Sequence, residues 1–165
     1  MAISAIAKAF PDGTILLKDG TGTPISVTVQ FEDGDFKVSG LQQGELSISK
    51  YEDRGVFYSA RKTKQVYPQV SFTAHFTDLS DGTNKTLPDA VLKQGAFSGG
   101  VSTLVTTAGD VWCLDTVFTV TGTALGDSAD HVCTLTKVHW SIDISEGDPS
   151  KFSMTGEVLG AITMT

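Results

Sequence analysis

The sequence predicts a mainly β protein, an antiparallel β-barrel or sandwich with one short α-helix and a long contact arm. Runs that alternate apolar and polar residues recur along the chain, and 17 glycines punctuate them. Thr, Ser and Val are abundant between the glycines, and β-branched residues suit a pleated surface. The 165 residues suffice for one core, and no linker or internal repeat interrupts them, so a single domain over 1–165 is expected.

In chain order, 14–18 reads as a first strand, and DGTGTP, with Gly20 and Gly22, as the turn after it. In the next strand Ile25, Val27, Val29 and Phe31 share one face, opposite Ser26, Thr28 and Gln30. Shorter strand signals cover 35–38 and 45–51. In the following run Val70, Phe72, Ala74 and Phe76 oppose Ser71, Thr73, His75 and Thr77. One helix is expected over 87–92: Thr86 and Leu87 lead into Pro88, which suits a first helical turn, and Gly95 can end the element. Such a helix plugs an open end of a sheet or covers one edge.

A further strand is expected over 117–121, and the chain closes on a hairpin. Val138, Trp140, Ile142 and Ile144 alternate with His139, Ser141 and Asp143, and the turn falls at Glu146, Gly147, Asp148 and Pro149. The returning arm puts Phe152, Met154, Val158 and Ile162 on one face, with Gly156 and Gly160 among them, and Ser153, Thr155 and Glu157 on the other.

Two stretches read as irregular. Residues 51–68 mix Glu52, Asp53, Arg54, Arg61, Lys62 and Lys64 with Tyr51, Phe57, Tyr58 and Tyr67, more aromatic surface than a solvated hairpin needs, and read as an inter-subunit contact arm, a long exposed hairpin with snorkelling side chains being the lesser alternative. Residues 97–112, with Gly99, Gly100 and Gly109, read as a loop that orders against a neighbour.

Composition narrows function. The net charge of −7 disfavours a binder of nucleic-acid phosphates. No apolar run approaches the ~20 residues of a membrane span. The opening MAISAIAKAF lacks the plan of a signal peptide, which points to synthesis in the cytoplasm, where Cys113 and Cys133 act as small buried apolar residues, a bridge between them being the lesser alternative.

Chemistry is sparse. The chain contains no G-x-S-x-G elbow, and Asp130, His131 and Cys133 read as a turn followed by a strand start rather than a dyad or metal site. His75 and His139 stand singly on polar strand faces. Gly20 and Gly22 precede a strand, whereas a phosphate cradle opens a helix. Asn84, Lys85 and Thr86 form a chance glycosylation triplet, and the carboxylate pairs Asp33 with Asp35 and Glu146 with Asp148 belong to turns. No catalytic residue, metal ligand or cofactor site is expected, and the chain does not read as an enzyme. Shape and surface remain: strand faces of small Ser and Thr with an occasional acid suit the inside of a shared barrel or channel.

The short helix at 87–92, the charged arm of 51–68 and the closing hairpin VHWSIDISEGDPSKFSMTGEVLGAI together resemble the major tail tube proteins of tailed bacteriophages. The resemblance implies a structural virion protein, assembled in the bacterial cytoplasm, whose six copies join their sheets into one barrel. Such rings stack into a tail tube that conducts DNA. It also implies partners: further copies of the chain, a tape measure protein, a tail terminator, baseplate or tail-tip proteins and, in contractile tails, a sheath. DNA would touch the lumen only in transit, past Asp143, Glu157, Ser141, Ser153 and Thr155, while Arg54, Tyr58, Arg61 and Tyr67 would hold neighbouring subunits. The alternatives are the ring-forming tube protein of a contractile injection system, a head-decoration or baseplate subunit, and a monomeric β-sandwich binding module.

Overall fold

A computed structural model describes residues 13–29, 35–42, 46–80, 83–105, 111–122 and 128–165. Eight strands form one antiparallel sheet: β1 (Gly13–Lys18), β2 (Ser26–Val29), β3 (Lys37–Ser39), β6 (Gln69–His75), β7 (Leu114–Val120), β8 (His131–Ser145), β9 (Lys151–Val158) and β10 (Ile162–Met164). Their spatial order is β2-β1-β7-β8-β9-β6-β3, and β10 also pairs with β8. Among the described residues the other two strands, β4 (Leu46–Asp53) and β5 (Val56–Gln65), pair with each other and with no third strand. The described residues are mainly β, with a short helix, α1 (Leu87–Leu92), followed by a 3-10 turn at Gly95–Phe97. Gln30, Phe31, Asp33, Glu45, the opening decapeptide and part of the 97–112 loop lie outside the described residues.

The alternating runs form strands because one face of each is withdrawn from water. Ile15 and Leu17 of β1, Val70, Phe72 and Ala74 of β6, and Phe152, Met154 and Val158 of β9 are buried, while their neighbours along each strand are more exposed. The sheet curls so that this face closes on itself. Phe36, next to edge strand β3, stacks on Phe118 of β7 with ring centroids 4.3 Å apart, although three strands separate β3 from β7. Trp140 of β8 meets Phe72 edge-on at 5.3 Å, and its indole N–H donates to Thr116 Oγ1 of β7 at 3.2 Å. A buried indole donor is thereby satisfied.

The helix α1 touches β2 and β8 and buries Leu87, Ala90 and Val91 against this core. Thr86 caps it by accepting from the Asp89 amide, and a proline sits in its first turn as expected. It ends before Gly95: Lys93, at φ 53°, is the left-handed C-cap, and Gly95 opens the 3-10 turn instead. Trp112 donates its indole N–H to Ala90 O at 2.8 Å and ties the approach to β7 to the helix.

The strand β8 spans 15 residues and carries two phases of alternation. Leu114 pairs with Val138 and Thr116 with Leu135, so Thr136 and Lys137 together face Asp115. This is a β-bulge, with Lys137 at φ 57° and its amide donating to Asp115 Oδ1 at 2.9 Å. Before the bulge, odd-numbered Cys133 and Leu135 face the core; after it, even-numbered Val138, Trp140 and Ile142 do. One extra residue thus shifts the sequence phase while the same side of the strand stays on the core.

Several expectations are corrected. Most of the 51–68 segment belongs to an exposed hairpin over 46–65, the lesser alternative of the sequence reading, joined by a two-residue turn in which Arg54 and Gly55 both have positive φ. The returning arm of the closing hairpin is not continuous: β9 ends at Val158, and Ile162 belongs to β10. Phe76 and Ile144 lie beyond the core at 40% and 56% exposure.

Candidate functional site

The second half of β8, together with β9, β6 and β3, builds a polar face opposite the core. Cross-strand register sets its rows: Ser141 pairs with Thr155, which pairs with Ser71, which pairs with Lys37. The next row is Asp143, Ser153 and Thr73, and on the other side stand His139, Glu157 and Gln69. Ser141, Asp143, Ser153 and Thr155 are exposed and Glu157 is partly so. The five residues therefore share one surface, away from buried Trp140 and Val158. The surface is not uniformly acidic. Lys37 stands in the Ser141 row and Lys151, opposite Ser145 and His75, at one end, which balances Asp143 and Glu157. Sequence reasoning passed over both lysines, because cross-strand neighbours are set by register.

Polar contacts within this face are short-range. Ser141 Oγ donates to Thr155 O at 3.1 Å, and Gln69 Nε2 donates to Glu157 Oε1 at 3.4 Å. His139 Nδ1 lies 2.9 Å from Trp112 O, and Lys137 is taken up in the bulge.

Beside this face runs an open backbone edge. β9 pairs with β8 from Val138 to Ser145, whereas β7 stops at Val138, so among the described residues no strand covers the other edge of 139–145. An uncovered edge of this length is a template for another strand.

The arm is the second surface. Every residue of β5 is exposed, Tyr58 at 78%, Val56 at 69% and Phe57 at 63%. Tyr51 pairs with Ser59 and Glu52 with Phe57, which leaves Tyr58 as the extra residue of a bulge. Bulges re-aim side chains. A second irregularity near the base is held by Ser47, whose Oγ donates to Lys64 O at 3.0 Å and accepts the Lys64 amide at 3.3 Å. Arg54 sits at the tip, Arg61 pairs with Ser49, and Tyr67 lies near the root.

Catalytic geometry does not assemble from the residues singled out. Asp130 Oδ1 accepts the Gly122 amide at 3.0 Å, as a turn residue does, and Cys133 packs beside the core. Among the described residues no group of three or more His, Cys, Asp or Glu is placed to hold a metal. Cys113 and Cys133 are free thiols. Burial pushes both thiols up from the ordinary cysteine range, with the Asp115 charge adding to the shift at Cys113 against a smaller opposing effect of Lys137. Asp19 binds the DGTGTP turn instead of a ligand: Oδ1 accepts from Thr21 and the Ile25 amide, and Oδ2 from the Val101 amide at 3.0 Å. No described helix is long and apolar enough to cross a membrane.

No protein-family model and no curated protein matches the chain. Among solved structures it is similar to the sheath/tube terminator of the extracellular contractile injection system PVC in its extended state. The TM-score is 0.59 at 12% identity over 99% of each chain. The PVC sheath-tube complex in the extended state gives 0.55 at 10% identity, covering 99% of this chain and 93% of the other. The fold is shared with these assemblies. Its neighbours are parts of a sheath and tube, and at such identities the likeness is one of backbone architecture.

Proposed function

We propose that the chain is the ring-forming subunit of a hollow tube in a contractile injection apparatus, with rings of six copies stacked end to end. The observation that carries this reading is the β8 edge over 139–145, with which no described strand pairs, beside a face of small polar side chains, on a fold shared with a sheath-tube complex. A strand from a neighbouring copy pairs with that edge, and a head-to-tail contact of this kind closes into a ring when its rotation permits. In this reading Ser141, Asp143, Ser153, Thr155 and Glu157 line the lumen, while Arg54, Tyr58, Arg61 and Tyr67 of the arm hold another subunit. The partners are then a sheath, a terminator and a baseplate.

The second reading, a phage tail tube conducting DNA in a virion with a tape measure protein, draws on the net charge of −7. The mixed charges of the proposed lining favour the first reading, because Lys37 and Lys151 place cations where passing phosphates would dwell. Negative-stain microscopy and sedimentation of concentrated protein test the assembly common to both, with rings or tubes expected. A protein that stays strictly monomeric at every salt and concentration, with its assembly partners present, overturns it.

A further inference from the structure

The arm and the rest of the molecule differ in charge. Leu46–Gln65 contains five Lys and Arg against two Asp and Glu, a net +3, which leaves −10 on the other 145 residues. An isolated two-stranded hairpin is at best marginally stable in water, and this one exposes Ile48, Tyr51, Val56, Phe57 and Tyr58. It needs a partner that is apolar at its centre and acidic at its rim.

The chain itself carries such a surface, at the far end of β6. The arm runs into β6 through Pro68, whose carbonyl accepts the Val158 amide at 2.9 Å. Seven residues later, about 20 Å along a strand, β6 gives way to Phe76. Phe76 packs on Phe152 at 5.1 Å between centroids, and Phe152 pairs with Ile144 across the β8–β9 hairpin. Phe76 and Ile144 are exposed, and so are Asp78, two residues beyond the first, and Glu146 and Asp148 in the adjoining turn.

We infer that the arm of one copy seats on this end of a second copy, with Phe57 and Tyr58 against Ile144 and Phe76, and Arg61 and Lys62 facing Glu146 and Asp148. Arm root and acceptor lie at opposite ends of β6, so copies related head to tail repeat the contact from one to the next, whereas a reciprocal two-fold pair would stop at two copies. It joins copies along the strand direction and stacks one ring on the next. Aromatic anchors within a charged rim are the usual make-up of such contacts. The inference rests on the tube reading for its assembled state.

Charge exchange tests it, with wild-type protein imaged alongside. R61E/K62E and E146K/D148K should each raise the concentration needed for pelletable tubes by at least about tenfold, since like charges then face each other. The quadruple variant should recover most of that loss. Circular dichroism and thermal melting check that the β fold persists in each. In addition, Y58C with I144C in one chain should give a non-reducing ladder of many copies. If the double variants assemble like the wild type, or the quadruple variant fails to recover while folded, the docking is overturned and the tube reading stands. If the wild type forms no assembly, the tube reading itself fails.

Discussion

Gly156 and Trp140 face each other across β8 and β9, and the missing side chain of one makes room for the other. A Cβ at position 156 would approach Val138 Cγ1 to 2.7 Å and Trp140 Cε3 to 2.8 Å. Neither is a flexible chain end. Gly156→Val is therefore expected to cost about 1–3 kcal/mol through overpacking, and Trp140→Ala about 3–5 kcal/mol through the cavity it leaves. Chemical denaturation followed by circular dichroism reads both, as a lowered midpoint. At Cys113 the folded state holds the thiol pKa above its unfolded value. The stability this contributes is therefore complete below the ordinary thiol range and is lost as pH rises through the folded value. The gap in denaturation midpoint between wild type and Cys113→Ala should narrow from pH 7 toward pH 10. A constant gap shows that the thiol does not titrate differently in the folded protein.

The β8 bulge shifts the phase of alternation between the two halves of the strand. Deleting Lys137 would remove the extra residue and leave Leu135, Val138, Trp140 and Ile142 alternating in one phase toward the core, so that variant should keep the register to β7 and β9 and still fold cooperatively. Lys137→Gly keeps the extra residue and removes a left-handed non-glycine, and its melting temperature should equal or exceed that of the parent. Limited proteolysis and thermal melting check both, and a deletion variant that melts without cooperativity would show that the bulge itself is needed. Much at this scale was legible in the sequence. The runs around Val70 and Phe152 alternate cleanly, because one side of each strand is buried and selection for burial writes the period. The helix 87–92 was legible from Thr86 and Pro88. The bulge was not, since a lysine in a glycine-like conformation carries no sequence signal. In the arm, the strand signal over 45–51 marked β4, but β5 did not read as a strand: neither of its faces is buried, so its residues have no reason to alternate. Lys93 as C-cap in place of Gly95 follows the same rule, local backbone geometry overriding residue preference.

Across the whole molecule, the proposed lining offers two carboxylates and two lysines amid hydroxyls, and its net charge is what a passing polymer meets in every ring. Replacing Asp143 and Glu157 by Lys leaves the core untouched, as both lie on the polar face, so tubes should still form. Short DNA should then be retained by tubes of the D143K/E157K variant and released as salt increases, because the attraction is to phosphate. Equal retention by wild-type and variant tubes would show that these residues do not face the lumen. The candidate surface was only half legible from sequence. Strand periodicity put Ser141, Asp143, Ser153, Thr155 and Glu157 on one face, but the register across four strands that adds Lys37 and Lys151 is a tertiary fact.

Both strands of the arm have an unpaired outer side, and exposed sheet edges with aromatic residues are a hazard for any protein stored as single copies in a crowded cell. The cations that suit the arm to an acidic surface remove that hazard. Two arms meeting side by side bring +3 against +3, and Lys50, Lys62 and Lys64 are set along the strands that would have to pair. Repulsion of like by like would keep free copies from gluing at their tips, so the charge proposed to select a partner would also insulate the chain from premature gelation.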